Sequence, residues 1–405
     1  MPKPKPKRKP QARKRVLAKR ESEPQPHPVT VTAVIMCGNA EATITRAVAS
    51  IARDVDHVYL LDTGVTDETI SRARAARSGR VIVDRYKWAD DFAAGRNAAL
   101  AGAARCYPGS WLLILDTDEW ITWGRTPLQM QTLLRGEKPE TVYLIDHASR
   151  SYTQPRLFHA SLVTKGLAAF SGRVHEALTY PRTAVKRLEG VVFNDEPKTG
   201  DAARAKFTRD LRIIREMMQP GQPGAGDQRT RYYLGQTHEC LAILAGEDEG
   251  LKLEHWADAA KAYGAAAHGK GWDEEGAWAA YKAASIVGNP VGRDPRPEDH
   301  TRALHICVQG LARWPISELA WLAGFHAYKF GDYAKALSWA QMAIATGKSV
   351  GAFAATGRTY FNDPEVLWEK PHDLAAYAAK QLDMPGLEQA YRRTHTLAQA
   401  QREGR

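Results

Sequence analysis

The chain has 405 residues, 44% of them hydrophobic and 25% charged, with a formal net charge of +10. That length is enough for two or three domains around a sizeable core. No apolar stretch approaches the roughly 18 residues of a membrane span, and the basic amino terminus has no hydrophobic segment behind it, so it is not a secretory signal. Four scattered cysteines, Cys37, Cys106, Cys240 and Cys307, read as reduced, buried thiols of a cytoplasmic protein, not a disulfide frame or a zinc site.

The charge has one source. Residues 1–20 carry ten Lys and Arg and no Asp or Glu, and subtracting them leaves 46 basic against 46 acidic residues. Residues 1–28 are also rich in Pro and read as a disordered basic tail. Such a tail is either a solubilising segment or an arm for a polyanion such as DNA or RNA.

Strands and helices then alternate. Val31–Met36 is an apolar, β-branched strand, and Ala40–Ala52 has helical spacing through Ile44, Val48 and Ile51. His57–Asp62 is a second strand. Asp67–Ser78 is a helix that Thr66 or Asp67 can cap. Val81–Tyr86, the Ala-rich helix Phe92–Cys106 and the strand Trp111–Leu115 follow, with further strands and loops over Thr141–His147 and Phe158–Leu178. This alternation predicts right-handed βαβ units and a parallel sheet.

The fourth strand, Trp-Leu-Leu-Ile-Leu, runs into Asp116-Thr117-Asp118. On an extended chain, residues i and i+2 point the same way. Both carboxylates are therefore expected at the carboxyl end of a buried strand, where α/β sheets bind ligands. Hard oxygens there suit Mg²⁺ or Mn²⁺ and, through the ion, a diphosphate.

After about Ala202 strand signals vanish and Ala-rich helical segments take over. Gly324, Ala327, Gly331, Tyr333, Ala336, Leu337 and Ala343 fall on the small and aromatic positions of a tetratricopeptide repeat. A looser unit starts at Tyr233-Leu234-Gly235 and continues through Trp256, Ala259, Tyr263 and Ala266. A third runs from Trp278 and Tyr281 to Ala303, Leu304 and Pro315, with loops at Pro220–Gly226 and Gly288–Pro297.

In order along the chain stand Cys37-Gly38-Asn39, Leu61-Asp62-Thr63-Gly64-Val65-Thr66-Asp67, Trp88-Ala89-Asp90-Asp91-Phe92, Gly95-Arg96-Asn97-Ala98-Ala99-Leu100, the Asp116–Asp118 motif, Pro155-Arg156-Leu157-Phe158 and Gly172-Arg173-Val174-His175-Glu176. This series resembles the family 2 glycosyltransferases of GT-A fold, in the SunS-like branch that carries tetratricopeptide repeats behind the catalytic domain. The resemblance implies a Rossmann-like α/β domain over 29–202, helical repeats over 203–350 and a helical cap over 351–405. It also implies inverting, metal-dependent transfer from a nucleotide-sugar, most often a UDP-sugar, to a macromolecular acceptor. Repeat-bearing relatives often modify peptides or proteins; a nucleic acid, such as the modified bases of phage DNA, is the alternative. A non-catalytic nucleotide-binding or repeat scaffold protein is the alternative of another class.

On that resemblance Asn39, Asp62, Asp67, Asp91, Arg96 and Asp116 are candidate donor-binding residues. Asp62 would accept hydrogen bonds from the nucleobase or ribose. Arg96 would reach phosphate, or else pair with Asp90 or Asp91. Asp116, Asp118 and His175 are candidate ligands of Mn²⁺ or Mg²⁺. Glu176 is the candidate general base and His175 its neighbour in the acceptor site; Asp118, Glu119 and Asp146 are the other candidate bases. Two departures stand out. Ala40 follows Asn39 where relatives have Glu, and Val192–Glu196 stands where relatives carry a His-rich segment, so either Asn194 or Asp195 completes the metal site or the site is metal-poor.

Overall fold

The computed structural model describes residues 29–123, 130–148, 153–347, 361 and 363–403. The basic tail and residues 351–360 of the expected cap lie outside them. The chain opens with β1 (Val31–Cys37), α1 (Ile44–Ile51), β2 (His57–Asp62), α2 (Thr69–Ala76), β3 (Val81–Arg85), α3 (Phe92–Cys106) and β4 (Trp111–Ile114). Next come β5 (Glu119–Trp123), α4 (Met130–Leu133), β6 (Val142–His147), β7 (Thr153–His159), α5 (Ala160–Thr164), β8 (Ala169–Ser171), β9 (Ala177–Thr179) and β10 (Val185–Asp195).

Among the described residues one sheet has the order β3-β2-β1-β4-β7-β6-β10-β5. The first four strands are parallel, and β7 enters antiparallel to both β4 and β6. The fold is thus α/β, a Rossmann-like half joined to a mixed half. β1 is buried along nearly its whole length because both faces are covered. α1 buries Ile44, Ala47, Val48 and Ile51, the i, i+3, i+4, i+7 stripe of an amphipathic helix. α3 lies close to the sheet through small residues. A Cβ on Gly102 would stand 1.9 Å from the Tyr59 hydroxyl, so no larger residue permits this approach.

Two local expectations need correction. The first predicted helix starts only at Ile44, because Ala40 N donates to Thr69 Oγ1 and Glu41 N to Asp67 Oδ2, which ties this stretch to the α2 loop. Asp67 does not lead its helix from the first residue. Its carboxylate also accepts from Thr69 N at 3.0 Å and from the Thr69 hydroxyl, and α2 begins at Thr69.

The described residues that follow form helices: α6 (Gly200–Met217), α7 (Gln228–Leu244), α8 (Glu249–Ala267), α9 (Asp273–Gly288), α10 (Pro297–Arg313), α11 (Ser317–Lys329), α12 (Tyr333–Gly347), α13 (Pro364–Leu367), α14 (Lys370–Gln381) and α15 (Pro385–Glu403). Neighbours pack as consecutive pairs, α7 with α8, α9 with α10 and α11 with α12. These pairs coincide with the three repeat units expected from the sequence. Gly235 of α7 shows why small residues recur: a Cβ there would come within 2.7 Å of the Tyr263 ring on α8. All four cysteines are unpaired; Cys37 and Cys307 are buried, whereas Cys106 is exposed. No helix of the described residues is long and apolar enough to cross a membrane.

Two histidine pairs are built into the repeats. His300 Nδ1 lies 3.0 Å from His326 Nδ1, and His238 Nδ1 lies 3.0 Å from His255 Nδ1. Burial, aided by the paired ring, brings both His326 and His238 down to about 4, against the opposing Asp258 carboxylate beside His238. Folding therefore holds these rings neutral, while the unfolded chain protonates them near pH 6.5. Their stabilisation is complete above that pH and is lost as pH falls from about 6.5 towards 4, on the order of 3 kcal/mol for each ring. Urea unfolding at pH 7.5, 6 and 5 should show this decline. His326→Leu should remove about half of the part due to the two pairs.

Candidate active site

The carboxyl ends of β1 and β2 form the first wall of the crevice. Asn39 follows β1 and bridges to the next loop: its Nδ2 donates to Thr66 Oγ1 and its Oδ1 accepts from Thr66 N, each at 2.8 Å. Asp62 ends β2. Its Oδ1 accepts from Gly64 N at 2.8 Å and Val65 N at 2.7 Å, closing a turn that places Gly64 at φ +116°. That turn uses one carboxylate oxygen and leaves Oδ2 outside these bonds. Asp91 is not a crevice ligand but the N-cap of α3, accepting from Ala94 N at 2.8 Å. Asp90 bonds the Trp88 indole and Arg212 on α6.

Arg96, on the first turns of α3, pairs with neither Asp90 nor Asp91. Its Nη1 and Nη2 grip Asp116 at 2.6 and 2.9 Å, and its Nε donates to Glu176 Oε1. Burial opposes the charge on Arg96, but the Asp116 and Glu176 carboxylates outweigh it and hold the guanidinium well above its ordinary value. Burial likewise raises Asp116, and the Arg96 guanidinium more than reverses this, so the carboxyl is held below its usual range. The three side chains come from α3, the loop after β4 and the loop before β9. They form one half-buried charged node.

The paired-carboxylate expectation fails on backbone geometry. β4 ends at Ile114 and the chain turns at residues 117–118, so the alternation of an extended strand does not carry through to Asp118. Asp116 faces the cavity, whereas Asp118 pairs with Lys198 at 3.3 Å. His175 does not join them either. Its ring lies flat on Tyr233 of α7, 3.9 Å between centroids and 6° between planes. Burial, with Lys206 next, pushes it down to about 4, and Nε2 has no hydrogen-bond partner among the described residues. Asn194 Nδ2 turns to Trp120 O and Thr122 Oγ1, and Asp195 Oδ1 meets His147 Nε2 at 2.9 Å. Among the described residues no three His, Cys, Asp or Glu side chains stand together as an ion site. Of the candidate ligands Asp116 and Asp195 line the cavity, and an Mn²⁺ or Mg²⁺ there would take its remaining oxygens from a diphosphate and water.

Behind the node lies a buried pair. Arg156 of β7 donates to both oxygens of Glu119 at 2.9 and 2.6 Å, and its guanidinium lies 4.4 Å over the Phe193 ring. Burial raises Glu119 and Arg156 only partly reverses this. A cavity of about 870 Å³ opens in front, reached by Arg96, Asp116, Glu119 and Glu176. Its far wall belongs to the helical half: Arg229 and Tyr233 of α7, Trp272 and Phe361. The motif reading did not reach this wall. Tyr233 was visible only as a repeat residue, and Trp272 and Phe361 sit at no recurrent spacing.

Residues 32–195 match the family model described as Glycosyl transferase family 2. This segment is a family 2 glycosyltransferase domain. Over 111 residues the chain is 36% identical to a TPR repeat-containing protein of Synechococcus elongatus, covering 27% of this chain and 25% of that protein. The chain thus spans about a quarter of the length of the curated relative it matches. Among solved structures it is similar to S. aureus TarS, at 14% identity and a TM-score of 0.36 over 72% of this chain and 55% of that one. It is also similar to MamA from Desulfovibrio magneticus, at 13% identity and a TM-score of 0.33 over 49% and 88%. Likenesses this distant carry no argument beyond themselves; the strand order and the family model carry the assignment.

The charged node makes Arg96 structural before it is anything else. Arg96→Leu strands two half-buried carboxylates and should destabilise the protein by roughly 1–3 kcal/mol. Arg96→Lys keeps the charge but loses the fork that grips Asp116 and should cost less. Thermal melting of both variants checks this. Melting unchanged in Arg96→Leu would mean that the node is not formed in solution.

Proposed function

We propose that this protein transfers a sugar from a nucleotide-sugar to a hydroxyl on a macromolecular acceptor, with inversion at the anomeric carbon. The observation that carries the reading is the Glu176 carboxylate, fixed by Arg96 opposite Asp116 at the inner end of the cavity, inside a family 2 glycosyltransferase domain. The nucleoside sits at the ends of β1 and β2. There Asp62 Oδ2 accepts from the base or ribose, and the Asn39–Thr66 bridge shapes the loop beneath it.

The acceptor hydroxyl approaches from the cavity. Its oxygen forms a bond to the anomeric carbon as the bond from that carbon to the diphosphate oxygen breaks. The departing electron pair stays on the diphosphate, and the hydroxyl proton passes to Glu176. Arg96 sets the orientation of Glu176 and ties it to Asp116, so base and crevice move as one body. Among the other candidate bases, Asp118 and Asp146 do not line the cavity, and Glu119 gives both of its oxygens to Arg156, whereas Arg96 holds Glu176 through Oε1 alone. His175 acts through Glu176: it packs the loop against α7 and touches no reacting atom.

Glu176→Gln keeps the shape and cannot take the proton. Transfer should fall by about 10²–10⁴ while nucleoside diphosphate binding, read by calorimetry, persists. Loss of nucleotide binding together with turnover would make Glu176 a binding or structural residue and refute the role given to it.

A further inference from the structure

We propose that the cavity between the two halves is an acceptor pocket that stacks one base of a single-stranded nucleic acid, with the helical half supplying the stacking wall. This rests on the transfer reading above and names the acceptor class for it. The crevice residues Asn39, Asp62 and Asp67 do not line this cavity, whereas Glu176 and Asp116 do. It is therefore a compartment separate from the nucleoside end of the crevice, and a group that reaches Glu176 from it arrives on the acceptor side.

The wall facing Glu176 is aromatic and continuous. Tyr233 stacks on His175, and Tyr232 beside it reaches Phe361 at 5.3 Å between centroids. Phe361 lies 5.5 Å from Trp272 and, nearly parallel, 5.8 Å from Trp278. Tyr233, Trp272 and Phe361 reach the cavity, and Trp272 is 40% exposed. Phe361 braces the Trp272 ring at a tilt of 40°, and an exposed, braced ring is a platform for any planar group.

The cations around the cavity differ in what they are free to do. Arg96 and Arg156 are consumed by carboxylates, and Arg229 is shared between Glu275 and the His175 carbonyl. Arg182 is exposed while lining the cavity, which sets it at the rim. It donates to the Tyr180 hydroxyl and stacks on that ring at 4.0 Å, and it has no carboxylate partner among the described residues. A guanidinium left with net charge at the mouth of an aromatic pocket suits a phosphate beside a stacked base.

A peptide with an aromatic side chain would also stack. Charge decides between the two: residues 1–20 hold ten basic residues and no acidic ones, and the remainder of the chain is balanced at 46 against 46. That excess favours a polyanion. At about 870 Å³ the cavity has the size of a ligand pocket, enough for a single nucleotide and a transferred sugar but not for a duplex. The base must come from a single strand or be extruded from its stack.

The test uses full-length protein and a fluorescein-labelled 20-nucleotide single-stranded DNA of mixed sequence, with affinity measured at several salt concentrations. Trp272→Ala should weaken binding roughly 5- to 150-fold, the effect of losing one stacked base, and leave the salt slope unchanged. Trp272→Phe keeps a π-face and should recover most of that loss, which a merely unfolded variant would not. Arg182→Ala should lower the slope of log K against log salt by about 0.7, one phosphate contact on a single strand. Deleting residues 1–20 should flatten the slope further. If Trp272→Ala and Arg182→Ala bind as tightly as the parent while the tail deletion abolishes binding, the tail alone holds nucleic acid and the pocket assignment is wrong. An absence of oligonucleotide binding, or transfer found on a peptide, overturns it as well. Release of nucleoside diphosphate from a nucleotide-sugar by the parent protein reads the transfer reaction without any acceptor, so failure there is distinguishable from failure of the pocket.

Discussion

A single guanidinium sits where three segments meet, and the arrangement of the site follows from it. Arg96 reaches from α3 to Asp116 after β4 and to Glu176 before β9. Three half-buried charges are costly to desolvate, and close pairing offsets that cost. The fork geometry of arginine satisfies both oxygens of Asp116 with its two terminal nitrogens and still leaves Nε for Glu176. Lysine has no such fork. The short Ala- and Gly-rich face of α3 serves the same end: because Gly102 lets the helix lie against Tyr59, the guanidinium reaches carboxylates at the far end of the strands.

The Glu176 loop needs a second support, because its backbone is not at rest. His175 has φ +51° and Gly172 φ +96°, a left-handed region that ordinary side chains avoid. Such a shape persists only when its surroundings over-determine it. Here α7 supplies the surroundings. Tyr233 covers the His175 ring, and Arg229 donates to the His175 carbonyl at 3.2 Å. Arg173 adds a contact to Glu216 on α6 at 3.0 Å. The helical half thus holds the loop that bears the candidate base, a role distinct from that of a passive docking platform.

How much of this was legible in the sequence depended on the range of the interactions. The strands and helices of the first half follow from local periodicity, so β2 and α3 fall where the apolar pattern places them. β5 and β10 were missed for a physical reason: β10 carries Lys186, Arg187 and Glu189 on a partly exposed strand, and its shift in register breaks alternation. The motif residues cluster as their order in the chain suggested, but their roles did not transfer one by one. Asp67 and Asp91 are spent on backbone amides, because short acidic side chains beside a helix start find local donors first. Asp116 and Asp118 part because an alternation rule for strands was carried across a turn. Arg96 was expected to meet phosphate or a neighbour in sequence, whereas its partners lie 20 and 80 residues away.

That last separation bears on why repeats stand behind a catalytic domain at all. An α/β sheet places ligands at the ends of its strands, yet it leaves the acceptor side open to water. Short edge strands such as β8 and β9 offer little area with which to close it. A stack of helical pairs offers a rigid edge whose side chains are set by packing within the stack, independent of the chemistry it faces. Tyr232, buried among Tyr263 and its neighbours, fixes the helix that presents Tyr233, and Glu239 ties both Tyr263 and Lys282 across three helices. The same small-to-aromatic contacts that make a tetratricopeptide-like pair stable therefore position the cavity's aromatic wall. Residues of the first half set the charged node, and residues of the repeats set the shape of the cavity in front of it.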